Sequence, residues 1–228
     1  MSHKHLFVLL GVGLGVFGVC ERSWLVPALW LGGDFIVLGI AHARGWHRIF
    51  GKRPGGTLPL WSWIAFLPLL VFTYAVWHVL RLVSHEPAHH AVTKDLIIGR
   101  RLLRGEITGD FANFVDLTAE FTEPSAFRTA PGYISFSMLD GGATDVAALR
   151  DAIDRLRPGR TFIHCAQGHG RTGLFALALM LRNGSVKTVT EGLEKLKLVR
   201  PGVQLTAVQR RCIEEFAAAN VVCNRPEF

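Results

Sequence analysis

Acidic side chains are almost missing from the first third of this chain. Residues 1–83 hold only Glu21 and Asp34, against seven Lys and Arg, for a net +5. Residues 84–228 carry 18 basic and 16 acidic groups, for a net +2. The overall +7 therefore belongs mainly to the flanks of apolar segments and does not point to nucleic acid as a partner. Cysteine is also scarce. Cys20, Cys165, Cys212 and Cys223 include no Cys-x-x-Cys pair, which excludes a zinc ribbon and a small-protein disulfide framework. Internal repeats and low-complexity tracts are absent. Nothing in the pattern calls for a metal or a cofactor.

Hydrophobic length is what the front of the chain does have. Three nearly uncharged stretches, 6–19, 24–43 and 58–80, predict membrane-anchoring helices over residues 1–83. A cleaved signal fits the first poorly, because Val19 is bulky before Cys20 and a second apolar stretch follows at once. Asp34 lies mid-span, where an ionisable group is a functional suspect. A helix–helix hydrogen bond is the simpler role. Trp61, Trp63 and Trp77 lie near the ends of the third stretch, as interfacial aromatics do. Pro59 and Pro68 are placed to start and kink it. Three spans put the basic loop 44–53 and the C-terminal half on opposite faces. The positive-inside rule favours the loop as cytoplasmic, whereas a free thiol favours a cytoplasmic C-terminal half. A re-entrant hairpin formed by the first two stretches reconciles the two, with the cytoplasmic face preferred for the C-terminal half.

Residues 84–93 read as a polar linker. Its His85, His89 and His90 could suggest a metal site, but a solvated linker is the simpler reading. Residues 94–228 have globular patterning. Apolar runs at 96–98, 114–117, 133–136 and 161–164 predict strands. Amphipathic stretches at 144–157, 171–182, 185–199 and 206–219 predict helices, with Thr144 as N-cap of the first. Alternation of strand and helix predicts an α/β domain with a mostly parallel central sheet flanked by helices. Cys212 falls on an apolar helical position and reads as a packing residue. Cys20 and Cys223 have no assignable role.

One stretch concentrates the chemistry: His164-Cys165-Ala166-Gln167-Gly168-His169-Gly170-Arg171-Thr172-Gly173. It follows a strand and opens a helix. A thiol delivered to a helix N-terminus ionises more readily than a free one. Backbone N–H groups from Ala166, Gln167, Gly168, His169, Gly170 and Arg171 can curl around one anion. Gly168 and Gly170 allow the tight backbone this needs. Arg171 offers a planar fork for two phosphate oxygens. Thr172 can donate its hydroxyl to the sulfur. Together these suit a thiolate attacking a phosphate monoester. The acid for the leaving group is best sought in Asp140, in a glycine-containing turn after a strand; Asp145 is the second candidate.

Gly168-x-Gly170-x-x-Gly173 also satisfies the dinucleotide-binding pattern. That site needs a second strand ending in an acid about twenty residues on, where a helix is predicted instead. It also leaves Cys165 unused. Rhodanese-like or arsenate-reducing chemistry does not account for Arg171, Thr172 and Asp140 together.

His-Cys-x5-Arg-Thr-Gly resembles the active-site loop of the cysteine-dependent protein-tyrosine and dual-specificity phosphatase superfamily. The resemblance covers roughly residues 94–219, including Val115-Asp116-Leu117-Thr118 and Arg200-Pro201-Gly202-Val203-Gln204. It implies a small, dual-specificity-like domain that acts through a phosphocysteine without metal. Asp140 matches the general-acid slot, and His164 matches the histidine beside the nucleophile. Gln209, or Thr206, falls where members hold a water-orienting side chain. The front half resembles bacterial membrane-anchored members, which implies an inner-membrane protein. The implied substrate is a phosphorylated protein of the phosphotyrosine type. A membrane phospholipid phosphate is the alternative, and a non-catalytic phosphate-binding module the third reading. Gln167 and His169 stand where phosphoinositide-selective relatives tend to carry lysines.

Overall fold

The computed structural model describes residues 3–20, 25–106 and 109–223, without the side chains of the last three. Trp24, the expected start of the second apolar stretch, and the Cys223 side chain lie outside the described residues. The chain divides into two compact units, one of Met1–Arg53, Thr57–His85 and Ala119–Thr122, the other of Pro54–Gly56, Glu86–Thr118 and Glu123–Phe228.

The first unit is helical. Helices α1 (His3–Cys20) and α2 (Leu25–Arg44) are both long and apolar enough to cross a membrane. They pack through small residues. A Cβ on Gly11 would lie 2.6 Å from the Gly32 carbonyl oxygen, and one on Gly18 would lie 2.8 Å from the Ala28 Cβ. Such contacts let helix backbones approach closely in lipid. Leu9, Val12, Val16 and Val26 are exposed, which suits an apolar surrounding. The third stretch is not one helix. It forms α3 (Leu60–Ala65) and α4 (Leu67–Val83), broken at Phe66. Pro68 sits in the first turn of α4, where a missing N–H costs nothing. The break leaves N–H groups at the start of α4 without helical partners. Buried Asp34 meets one of them, accepting a 3.4 Å hydrogen bond from the Leu69 N–H. Asp34 thus serves helix packing.

The second unit is an α/β domain. Its sheet has the order β1-β2-β5-β3-β4, formed by His89–Ala91, Leu96–Arg100, Thr161–Cys165, Asn113–Thr118 and Tyr133–Met138. β1 is an antiparallel edge strand, and the other pairings are parallel. Residues 84–93 are therefore more than a linker, since β1 lies within them. Two-residue periodicity sorts each strand between two faces. Ile163 and Cys165 of β5 join Val115 and Leu117 of β3 and Ile98 of β2 in the main core. That core is closed by α6 (Val146–Asp154), α7 (Gly170–Arg182), α8 (Val189–Val199) and α9 (Ala207–Cys223). On the other face, Phe114, Phe162 and Ile97 pack with Phe127 of the short α5 (Ser125–Arg128).

Two helix starts differ from the sequence expectation by more than one residue. α6 begins at Val146 with Asp145, not Thr144, as N-cap; its carboxylate accepts from the Ala148 N–H at 3.0 Å. α8 begins at Val189, capped by Thr188, so residues 185–188 precede the helix. Cys212 is buried in the core and its S–H donates to the Thr144 carbonyl; burial pushes its thiol pKa up. That environment fits an inert packing cysteine.

Candidate active site

β5 is central and wholly buried, so it presents its last residue, Cys165, at a fixed place at the carboxyl end of the parallel strands. Ligand sites in open α/β sheets form at that end. The loop 166–169 then turns into α7. Gly168 has φ +78°, and a Cβ there would lie 2.4 Å from the Gly99 carbonyl and 2.7 Å from the Arg100 nitrogen. Glycine is required for both conformation and space. Its N–H donates to the Cys165 Sγ at 3.2 Å.

Arg171, in the first turn of α7, is 1% exposed. One Nη donates to the Met138 carbonyl at 3.0 Å, and the other lies 3.2 Å from the Asp140 Oδ1. The end of β4 and the turn after it therefore orient the guanidinium. That turn is tied to the start of α9. The Thr206 hydroxyl donates to the Gly141 carbonyl at 2.9 Å, and the Gln209 side chain donates to the Gly142 carbonyl at 3.0 Å. The Gln209 oxygen accepts from the Thr206 N–H, so both ends of its amide brace the turn. Asp145 is engaged as the α6 cap, which separates the two acid candidates. Thr172 is fully buried, and among the described residues its hydroxyl has no hydrogen-bond partner. The expected bond from Thr172 to the sulfur is thus not formed in this structure.

His164 projects to the opposite face from Cys165. Its Nδ1 is 3.4 Å from the Cys165 carbonyl, and its Nε2 lies 4.0 Å from Asp116 and 3.9 Å from Glu123. Asp116 accepts from Thr118 and Tyr133, and Glu123 pairs with Arg101 at 3.2 Å. Burial, then Asp116, pushes the Tyr133 phenol far up, which keeps it a donor. Asp116, Glu123 and His164 could each turn one atom toward a cation. The hydrogen bonds to both Asp116 oxygens and to one Glu123 oxygen favour a buried brace instead.

Two residues with no role assigned from the sequence hold the loop from behind. Arg200, 1% exposed, donates through Nε to the Gly168 carbonyl (3.0 Å) and through Nη2 to that of Gln167 (2.8 Å). Its Nη1 reaches the Pro87 carbonyl and the His90 Nδ1. Glu86 pairs with Arg200 at 2.8 Å and with the His169 Nε2 at 2.7 Å. The signal was present as an arginine before Pro201-Gly202, but neither its partner nor its direction is written in the sequence.

No family model matches the chain, and no curated relative matches it. Solved structures do match. The active form of Tk-PTP aligns with a TM-score of 0.52 at 21% identity, covering 58% of this chain and 97% of that one. PTPMT1 in complex with PI(5)P aligns at 0.53 and 12% identity, covering 61% and 100%. The C-terminal domain has the protein-tyrosine/dual-specificity phosphatase fold. A human tyrosine phosphatase-like serine/threonine/tyrosine-interacting protein shares it too, at 0.51 and 12% identity, covering 58% and 97%. Phosphatases of this fold and the present chain thus have in common a mixed sheet flanked by helices.

Proposed function

We propose that the protein is a membrane-anchored phosphatase that hydrolyses phosphate monoesters through a phosphocysteine. The observation that carries this reading is the convergence of Cys165, the Gly168 N–H, Arg171 and Asp140 at one end of the sheet. The loop N–H groups and Arg171 hold the three non-bridging oxygens. The Cys165 thiolate attacks phosphorus and the P–O bond to the leaving group breaks. Protonated Asp140 gives its proton to the departing oxygen. Water then attacks the phosphocysteine. Asp140, now a carboxylate, takes the water's proton, and the S–P bond breaks to free phosphate and the thiolate. The Thr172 hydroxyl, buried and without a partner among the described residues, turns to the sulfur only as negative charge returns to it. The contacts above support Arg171 as clamp, Asp140 as acid, and Gln209 and Thr206 as braces of the acid turn. His164 anchors the strand that carries the nucleophile.

The substrate is best read as a phosphorylated protein. A lipid phosphate is the second reading, favoured by α1 and α2 and by the PI(5)P found with PTPMT1. The full-length protein in detergent micelles, reduced and with EDTA present, should hydrolyse an aryl phosphate. Cys165→Ser should abolish turnover, and rapid acid quench should trap phosphate on Cys165. Undiminished activity in Cys165→Ser rules out the mechanism. Phosphate binding without turnover in the reduced protein supports a binding module. Parallel assays with phosphotyrosine peptides and phosphatidyl phosphates separate the two substrates.

A further inference from the structure

The anion loop is held open from behind, and the last link in that hold lies far from it in sequence. Three successive loop carbonyls point outward. That of Ala166 accepts from the Arg101 N–H at 3.3 Å. Those of Gln167 and Gly168 accept from Arg200. In a trans peptide the C=O and the following N–H point in opposite directions, and among the described residues no peptide is cis. Fixing these carbonyls outward therefore turns the N–H groups of Gln167, Gly168 and His169 inward. The Gly168 N–H, on the Cys165 sulfur, shows the result directly.

Arg200 can do this only if it stays put. Its guanidinium is buried, and a buried cation needs a counter-charge. Glu86 supplies it at 2.8 Å, and the same carboxylate oxygen holds the His169 ring at 2.7 Å. His169 is the N-cap residue of α7. A Cβ on Gly202 would lie 2.4 Å from its ring nitrogen, so the ring is also confined from the other side. One carboxylate thus fixes the cation behind the loop and the side chain at its exit. Burial lowers the Arg200 pKa, and the Glu86 carboxylate beside it pulls the other way.

We propose that Glu86 is a positioning residue for the phosphate-binding loop, acting through Arg200 and His169. It stands only three residues beyond the end of α4, in the strap that leads into β1. The inference rests on the phosphatase reading only for its kinetic readout, since anion binding tests it without turnover. Inorganic phosphate binding to the full-length reduced protein should be measured by titration calorimetry, alongside KM and kcat on an aryl phosphate. Glu86→Ala should weaken phosphate about tenfold, the loss of roughly one charge-assisted hydrogen bond, and raise KM in parallel. Glu86→Gln keeps an acceptor but no charge and should fall between. Arg200→Lys, which cannot fork across two carbonyls, should weaken phosphate as much as Glu86→Ala and keeps the test open if Glu86→Ala does not fold. Wild-type phosphate affinity in Glu86→Gln and Arg200→Lys overturns the proposal. Phosphate binding that responds to Glu86 in a protein without turnover overturns the phosphatase reading and leaves this one standing.

Discussion

Asp140 places its Oδ1 3.2 Å from the Nη2 of Arg171, although its side chain is 75% exposed and that of Arg171 only 1%. In the proposed mechanism the acid is thus open to a bound ester while touching the arginine assigned to grip the phosphate. Gly141 and Gly142 behind it are tied to Thr206 and Gln209, which fixes where the carboxyl can reach. Asp140→Asn should lower kcat on alkyl phosphates by about 10²- to 10⁴-fold, the usual worth of a positioned acid. Aryl phosphates with good leaving groups should lose less. A plot of kcat against leaving-group pKa checks this: the variant's line should be steeper. Asp145→Ala should leave that plot unchanged and lower stability by about 0.5–2 kcal/mol, as loss of an N-cap does.

The second prediction concerns Gly168. Its φ of +78° strains any L side chain, and a Cβ would strike backbone atoms of Gly99 and Arg100. Backbone cannot swing aside as a long side chain can. Gly168→Ala should therefore displace the loop from β2, remove the N–H from the sulfur, and abolish both phosphate binding and turnover. Gly184 also has positive φ, +72°, but with open space around a Cβ. Gly184→Ala should cost stability alone, with kcat/KM retained. Calorimetry and steady-state kinetics on the pair separate strain from loss of the site.

Much of the domain is legible in sequence because its signals are local. The strand, the glycine loop and the helix around Cys165 are contiguous, so spacing alone places thiol, amides and Arg171 together. Asp140 is legible as a carboxylate in a turn after a strand. Residues that act across distance are not. Arg200 meets Gly168 over a separation of 32, and Glu86 meets His169 over 83. Side-chain ion pairs leave no period in a sequence. β1 has three residues, too few to show alternation. The choice of Asp145 over Thr144 as cap turns on one N–H, and Pro68, legible as a kink, instead opens a new helix after a break at Phe66. Hydropathy reports burial or lipid, but it does not report where a helix is interrupted.

A third prediction follows from His90. Its Nδ1 faces a donor, the Arg200 Nη1 at 3.1 Å, so the ring must be neutral there. Burial first, then Arg200 and His89, hold its pKa below the ordinary 6.5, while Glu86 pulls it up. The folded state thus binds fewer protons than the unfolded one just below pH 6.5, and stability rises with pH in that window. The contribution is complete above about pH 6.5 and is lost as pH falls toward the depressed folded value. Tm measured from pH 8 to 5 should show this loss. His90→Asn, which does not titrate, should flatten that part of the profile. An unchanged profile would mean that the ring stays out of contact with Arg200 in solution.

The last prediction concerns the helical unit, where the close approach of α1 and α2 depends on hydrogen atoms in place of side chains. Gly11 and Gly32 face each other so closely that a Cβ on either falls within 2.6–2.8 Å of the other's carbonyl oxygen. Neither helix can yield locally, because the atom struck is backbone. A larger residue must push the axes apart along the whole seam and so loosen the neighbouring Gly18–Ala28 contact. Lipid tails are as apolar as leucine, so packing and not hydrophobicity holds such a pair together. Gly32→Leu should therefore weaken the pair more than Gly33→Leu, since a Cβ on Gly33 meets nothing within 4 Å. Both variants add the same side chain to the same helix one residue apart, which cancels changes in span hydrophobicity and helix propensity. Cysteines placed at Gly15 and Leu29, where a Cβ on Gly15 meets only the Leu29 side chain, at 4.0 Å, report the approach by oxidative cross-linking in micelles. Cross-linking should fall in Gly32→Leu and persist in Gly33→Leu; equal yields would mean that the seam is not held by this glycine pair.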